Sequence, residues 1–575
     1  MTLGRTMQRH LLTICVEDYF HVAALRGAVR RKHWARLDPR LERNLDSVLD
    51  LLDRHGAQAT FFVFGCIAEQ QPELVARIVR HGHEVASRGF WPRALAGLTP
   101  DELRADARRA KEALEAAGSN TIVGYRAPEW LHEDDLWVLD VLADEGYAYD
   151  SSINPVLRRF ASDPRRFRIH DHTSPAGNTL RELPISTVGA LGVRMTISGG
   201  NYVRQLPHTL LSRAVEWQSK RDDDPLVFYF MPWEMDKHQP HVQGISRLNR
   251  IRHYRNLAKT RWVLVDYFGK YEFVGVSDWL GLPHAAPEGA PARASVAPPG
   301  ALAAPDPKAR EVSLVVPMYD EEANIDYLRR TLLEFRKRLR DRYRIHLVLV
   351  DDASKDRTWE LLQASFGELP DVQLVRHPRN RGVAAAIVTG IRAAPTEIVG
   401  SIDCDCSYDP ADLGAMIPLI DDADLVTASP YHPAGAVVNV PTWRLFLSKT
   451  LSRMYSALLG DAIHTYTSCC RVYRKSQIEQ FDLRHDHFLG VAELLIELKL
   501  RGARVIEYPA TLESRLFGES KMKILRTIRG HLGLVGDLAF GPRTRPQLTR
   551  AAPGDAPAAA EHPVAEAAPP DPRAS

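Results

Sequence analysis

Long apolar runs are missing from this sequence: no window reaches the roughly 18 consecutive apolar residues that a membrane-spanning helix needs. The apolar stretch near its start, HLLTICV, is too short for a signal-peptide core and no small-residue cleavage pattern follows it, so it reads as a buried strand. Cysteine is scarce as well. Six cysteines in 575 residues build no disulfide framework, and Cys404, Cys406 and the pair Cys469–Cys470 lack the spacing of zinc ligands. A reduced, cytoplasmic setting is expected, with any membrane contact peripheral. Charge of one sign is also lacking: 74 basic against 72 acidic side chains leaves a net charge of +2, which gives no ground for a nucleic-acid partner.

What is present is the ordinary mixture of a globular protein, 45% hydrophobic and 25% charged. The length exceeds what one hydrophobic core serves, so at least two domains are expected. Residues 281–310 are dominated by Ala, Pro and Gly and cannot bury enough surface to offset their ordering entropy, so they read as a linker. The tail 541–575 has the same composition and reads as disordered. Two globular parts remain, 8–280 and 311–540.

Both alternate strands with helices. LLTICV, ATFFVFG and LVFYFM suit buried strands in the first; LERNLDSVLDLLDRHG and PDELRADARRAKEALEAAG repeat apolar residues at helical spacing and end at Gly. In the second, VSLVVP, IHLVLVDD, VQLVRH and EIVGSIDCD are strands separated by helical stretches. This is an α/β pattern with mainly parallel sheets, whose ligand sites lie at the C-terminal ends of strands. The segment 522–540 mixes basic and apolar residues at helical spacing and reads as a core helix or as one lying on a membrane surface.

In the first part, VEDYF (16–20), GHEVASRGF (82–90), GYRAPEW (124–130), YDSS (149–152) and FYFMPWE (228–234) occur in order. Together they resemble the NodB-like polysaccharide deacetylase family. The resemblance implies a distorted (β/α) barrel in which an aspartate and two histidines hold a divalent metal, a second carboxylate is the base and a further histidine the acid. It places Glu17 at the base and Asp18 at the metal aspartate. The two metal histidines fall on Arg88 and Pro92, and the acid histidine on Met231. A guanidinium offers no lone pair, proline has no side-chain donor atom, and methionine transfers no proton. The expectation is a degenerate deacetylase site without metal, Arg88 setting a fixed positive charge beside Asp18. Arg126, Asp150, Trp130 and Trp233 either line a sugar-binding cleft or simply hold the barrel together. His83, His170 and His172 read as ordinary histidines rather than as a rebuilt metal site.

In the second part, SLVVPMYDEEANI (313–325), VLVDDASKDRT (348–358), RNRGVAAAIVTGIRAA (379–394), SIDCDCSYDP (401–410) and RLFGESKMK (515–523) stand in the order of family-2 glycosyltransferases. They resemble the polyprenyl-phosphate mannosyl- and glucosyl-transferase branch, which implies the GT-A fold. Asp403 and Asp405, a D-x-D pair ending a strand, suit a Mg²⁺ or Mn²⁺ ion on a departing nucleoside diphosphate, since hard cations take oxygen ligands. The resemblance assigns Pro317, Tyr319, Asp320, Glu321, Asp352, Asn380 and Gly382 to the nucleotide-sugar, and Arg515 and Lys521 to its phosphates. It assigns Ser468 and Arg471 to the acceptor side, with Glu493 as candidate acid or base there. Asp320 replaces the usual asparagine and Ser407 the usual glutamine of that branch.

The expected function is therefore transfer of a sugar from a UDP- or GDP-sugar to a polyprenyl phosphate or a growing cell-surface glycan. It would take place in the cytoplasm, at most peripherally at the inner face of the membrane. Two other readings are compatible with the motifs: a bifunctional deacetylase and transferase, and a non-catalytic sugar-binding scaffold. The motifs name neither the sugar nor the oligomeric state.

Overall fold

The structure, a computed structural model, describes residues 8–118, 121–156, 163–190, 193–221, 224–282, 309–479, 481–518 and 524–540. Lys521, most of the 281–310 stretch and the tail 541–575 lie outside these residues. The chain divides into two compact units. The first is Met1–Gly27, Pro39–His241 and Ile245–Pro298; the second is Ala28–Asp38, Val242–Gly244 and Pro299–Ser575.

The first unit is built on a nine-stranded, curled half-barrel sheet. Its order is Val227–Phe230, Arg9–Val16, Thr60–Val63, Glu84–Ser87, Gly124–Tyr125, Tyr149–Asp150, Thr179–Glu182 and His170–Thr173, with Glu272–Val274 also paired to Arg9–Val16. All pairs are parallel except the last, Thr179–Glu182 with His170–Thr173. Strands Arg9–Val16, Thr60–Val63 and Val227–Phe230 are buried along almost their whole length, which is why their sequences read as apolar runs rather than alternations, whereas the edge strand His170–Thr173 is half-exposed. Leu12, Ile14 and Val16 pack outward under the helix Leu41–His55, while Leu11, Phe62, Ala86 and Tyr229 fill the concave side. That helix stops at Gly56, which takes the left-handed backbone (φ 61) of a C-terminal cap. The helix Pro100–Ala116 starts on a reciprocal cap between Thr99 and Glu102 with proline in its first turn.

The second unit has a seven-stranded sheet in the order Val372–Arg376, Tyr343–Asp351, Arg310–Met318, Ile398–Ser401, Arg471–Arg474, Leu425–Ser429 and Val505–Pro509. Only Arg471–Arg474 runs antiparallel to its neighbours. Successive residues of one strand feed opposite layers. Leu314 and Val316 meet Ile325, Leu328 and Leu332 on one face, and Val315 meets Ile387 and Ile391 on the other. Strand order reverses at Arg310–Met318, since the next two strands lie to one side of it and the fourth to the other. Such a reversal opens a crevice at the strand C-termini.

The first unit buries uncharged histidines, which makes it acid-sensitive. Burial pulls the His10 and His83 imidazoles down to about 4 from the ordinary 6.5. His10 Nδ1 accepts from the Leu226 N–H at 3.2 Å, and neither ring nitrogen of His83 has a partner. The unfolded chain therefore binds protons first. Stability is full above about pH 6.5 and falls as the pH drops toward 4, by up to about 3 kcal/mol per group. The melting temperature of the full chain, followed by near-UV circular dichroism between pH 7 and pH 4, should fall steadily. His83→Leu should make that slope shallower; an unchanged slope would remove His83 from the account.

Candidate functional site

In the second unit one device delivers each site residue: a buried strand stops at the crevice and the chain turns outward. Arg310–Met318 leads to Tyr319, Asp320 and Glu321, Tyr343–Asp351 to Asp352, and Ile398–Ser401 to Asp403 and Asp405. The turns are tight enough to force Asp320 (φ 52), Ala353 (φ 60) and Cys406 (φ 51) into left-handed backbone. That conformation costs a residue with a Cβ about 1–2 kcal/mol, and such strain concentrates at functional sites.

These loops enclose a cavity of about 870 Å³. Pro317, Tyr319, Glu321, Asp352, Asn380, Gly382, Asp403, Asp405 and Arg515, all singled out from the sequence, line it. Four others do not. Asp320 turns away, its N–H donating to Ser354 Oγ (2.9 Å) and its carboxylate accepting from the Lys355 N–H (2.7 Å). Arg471 is fully buried and spends its guanidinium on the Val491 and Tyr466 carbonyls, both at 2.7 Å, as a strut across the sheet. Ser468 is buried and bonds within its own turn to Cys470. Glu493 is buried in the helix Phe488–Leu500 and faces a loop rather than the cavity. Sequence reasoning passed over Arg379, Arg381 and the run Arg484–Phe488, which also line the cavity. The sequence offers only composition as a signal, RHDH grouping two histidines and an arginine just before the helix Phe488–Leu500, and nothing in its spacing turns them to the crevice.

One end of the cavity is strongly acidic. Arg515 Nη2 lies 2.7 Å from Asp405 Oδ2 and its Nη1 lies 3.4 Å from Glu321 Oε1, so one guanidinium serves two carboxylates. The other Asp405 oxygen accepts from the Ser407 N–H (3.0 Å) and Oγ–H (2.7 Å). Ser407 thus orients the pair from the place where glutamine is usual. Desolvation, and then the charge of Asp405, push the Asp403 carboxyl up. Burial likewise raises Glu321, with Arg515 opposing it. Three carboxylates against one fixed cation, all with hard oxygen donors, fit a divalent ion at Asp403 and Asp405. Among the described residues no three His, Cys, Asp or Glu side chains form a ready cage, so further ligands would come from what binds there.

The other end is shaped by Asp352. Its carboxylate accepts from His377 Nδ1 (2.7 Å), the Arg381 N–H (2.8 Å) and the Gly382 N–H (2.6 Å), folding 380–382 over the crevice. Gly382 sits at φ +109, and a Cβ there would lie 2.3 Å from His487 Nδ1.

In the first unit the strand ends enclose a smaller cavity, about 260 Å³, lined by Glu17, Arg88, Pro92, Trp130, Tyr229, Met231 and Trp233 among others. Arg88, matched by the resemblance to one of the metal histidines, is buried. Its Nη1 donates to Cys15 Sγ (3.2 Å) and the Ala127 carbonyl (3.4 Å), its Nη2 to the Pro128 carbonyl (3.5 Å). It pairs with Glu17 at 3.6 Å, and not with Asp18 as the sequence suggested. Asp18 is committed elsewhere: Oδ1 accepts from the Tyr19 N–H (2.8 Å), and Oδ2 from the Arg40 (2.7 Å) and Leu41 (3.0 Å) N–H groups at the start of helix Leu41–His55. Burial raises Glu17 while Arg88 holds it down. Arg126 and Asp150 are both fully buried and do not line this cavity. Arg126 donates to the Ser151 carbonyl, Thr13 Oγ1 and Ser151 Oγ, and Asp150 accepts from Ser152, so both brace the sheet. His172 pairs with Asp140 and His170 with the Arg168 carbonyl. A guanidinium, a proline and an aspartate spent on a helix start do not fit a catalytic divalent ion.

Residues 313–481 match the family described as Glycosyl transferase family 2, residues 36–149 Polysaccharide deacetylase, and residues 151–281 a domain of unknown function, DUF3473. The polyprenol monophosphomannose synthase of Mycolicibacterium smegmatis is 35% identical over 188 residues, which are 31% of this chain and 70% of that protein. The undecaprenyl-phosphate mannosyltransferase of Micrococcus luteus is 30% identical over 218 residues, 37% and 87% of the two chains. The dolichol-phosphate mannosyltransferase of Pyrococcus furiosus is 30% identical over 217 residues, and the chain spans 59% of its length. Among solved structures, glucosyl-3-phosphoglycerate synthase from Mycobacterium tuberculosis, in complex with Mn²⁺ and uridine diphosphate, is 17% identical with a TM-score of 0.32, covering 40% of this chain and 81% of its own. A CE4-family pseudoenzyme from Bacillus anthracis is 14% identical with a TM-score of 0.26, covering 48% and 66%. No helix among the described residues is long and apolar enough to cross a membrane.

Proposed function

This chain belongs to the family 2 glycosyl transferases and carries a polysaccharide deacetylase-family domain before that module, and we propose that it transfers a sugar from a UDP- or GDP-sugar to a polyprenyl phosphate. The reaction would occur at the inner face of the cell membrane, in cell-surface glycan assembly. The observation that carries this reading is the pairing of a nucleotide-sized cavity with a D-x-D end whose carboxylates outnumber their cation. The polyprenyl-phosphate mannosyltransferases among its relatives support the acceptor class.

The chemistry asks for three things of these residues. Pro317, Tyr319 and Asp352 would bound the base and ribose, with the 380–382 loop closing against them. Asp403 and Asp405 would hold a Mg²⁺ or Mn²⁺ ion, which when bound offsets the charge growing on the departing diphosphate. Arg515, freed from Asp405 by that ion, would turn its guanidinium to the same phosphates, a bidentate donor suited to them. A phosphate acceptor already carries its charge at neutral pH, so no residue has to remove a proton from it.

The first domain we read as non-hydrolytic. What supports this is that Arg88, buried at the cavity and bonded to Cys15, offers no lone pair to a metal, and that Met231 offers no proton to a leaving amine.

Calorimetric titration of the full chain with GDP and with UDP, each with and without Mn²⁺, tests the transferase reading. One nucleotide should bind at least about tenfold more tightly with the ion present. Binding of neither nucleotide to folded protein would sink it.

A further inference from the structure

The segment Arg484–His487 lies on the cavity without belonging to a strand or a helix, yet it is fixed from several directions. Glu493, buried beneath it, accepts from the Arg484 N–H (3.1 Å), the His485 N–H (3.0 Å) and His485 Nδ1 (2.9 Å). The Asp486 carbonyl accepts from the Ala385 N–H at 3.0 Å. A Cβ on Gly490 would lie 1.9 Å from the His485 carbonyl oxygen, a contact with rigid backbone that permits only glycine there. Four residues of irregular chain, Arg484–His487, are therefore held as firmly as an element of secondary structure, and the residue so oriented is His485.

Its orientation has chemical content. A histidine that gives Nδ1–H to a carboxylate has its ring orientation set, and its Nε2 is an acceptor in the neutral ring and an N–H donor in the imidazolium. His485 lines the cavity, as Arg484 does beside it. The Asp486 carboxylate, also on the cavity, has Arg381 at 3.9 Å as its counter-charge. The diphosphate end of the site already has its own residues, Asp403, Asp405 and Arg515.

We propose that His485 holds the acceptor: as the doubly protonated ring paired with Glu493, its Nε2–H donates to a phosphate oxygen of the incoming acceptor with Arg484 alongside, and Glu493 is the positioning residue that aims the ring. The proposal rests on the phosphate-acceptor reading above. It reassigns Glu493 from an acid or base to a buried orienting group. It also gives the histidine no proton to remove, which separates it from a general base acting on a hydroxyl acceptor.

The test is steady-state transfer by the full chain, with the nucleotide-sugar the wild type uses and a short-chain polyprenyl phosphate, on His485→Ala, His485→Gln and Glu493→Gln. His485→Ala should raise the acceptor KM by about 10- to 100-fold, the loss of one charge-assisted hydrogen bond. Nucleotide binding and slow hydrolysis of the donor by water should stay within about twofold of wild type, reporting an intact fold and donor site. His485→Gln, whose amide nitrogen reaches the place of Nε2, should recover much of the KM, and Glu493→Gln should raise it in the same direction. An acceptor KM within twofold of wild type in His485→Ala, with nucleotide binding intact, overturns the proposal. So does a collapse of kcat at constant KM in both His485 variants, the mark of a base. A wild type that binds nucleotide but transfers to no phosphate acceptor overturns the functional reading itself.

Discussion

Asp405→Asn should reduce sugar transfer by about 10²–10³-fold while leaving the protein folded, the cost of removing one preorganised charge from a transition state that builds charge. The substitution keeps the shape of the side chain, and the amide oxygen still accepts from Ser407. What it removes is the negative charge that holds Arg515 at 2.7 Å and that would hold the divalent ion. Two consequences separate this from general damage. The raised Asp403 carboxyl owes part of its shift to Asp405, and Arg515 keeps Glu321 as a partner, so the lost repulsion offsets the lost Arg515 pair and the melting temperature should move little. Because Asp403 and Asp405 act as one ligand pair, Asp403→Asn alone and the double variant should lose about as much as Asp405→Asn, not the product of two losses. A chelator should silence the wild type, and added Mn²⁺ restore it, while neither moves the residual rate of the variant. A variant retaining a tenth or more of wild-type turnover would remove the aspartates from the chemistry and bring the non-catalytic scaffold forward.

How much of this was legible without coordinates depended on whether a residue acts through its local sequence or across the fold. The D-x-D pair, Pro317, Asp352 and Gly382 all sit within a few residues of the end of an apolar strand, and in an α/β sheet that position alone sends them to the crevice. The helix boundary at Gly56 was legible for the same reason, since a glycine cap is local chemistry. Glu493, Arg471 and Asp18 were a different matter. Each looks like a site residue in the sequence because it is charged within a motif, and each is turned by tertiary packing into a brace: Glu493 under a loop, Arg471 across a sheet, Asp18 on a helix start. Nothing in the spacing distinguishes a carboxylate that faces a cavity from one that faces three N–H groups. The same limit hid His485, which reaches the site only because Gly490 and Glu493 fold its loop inward.

Arg88→Met should destabilise the first unit by about 3–5 kcal/mol, the usual consequence of stripping one partner from a buried ion pair. Methionine has nearly the volume of the arginine stem and leaves little cavity, so the loss is electrostatic. Glu17 would remain buried in the company of Glu234, which already raises it, with Arg26 as its remaining cation and Arg26 itself paired to Glu129. The carboxyl would take up a proton rather than stay charged, and the unit would become less stable as the pH rises through the range in which Glu17 must ionise. Glu17→Gln should cost little by itself and should recover most of the loss when combined with Arg88→Met, giving a coupling energy of about 2–3 kcal/mol in the double-mutant cycle. Additive losses would mean that Arg88 is held by the Cys15, Ala127 and Pro128 contacts and not by Glu17. The case for a metal-free site would then rest on occupancy alone. Strong coupling would mean that Arg88 is held by its charge opposite Glu17 from within the barrel, which is the arrangement the proposed non-hydrolytic reading requires.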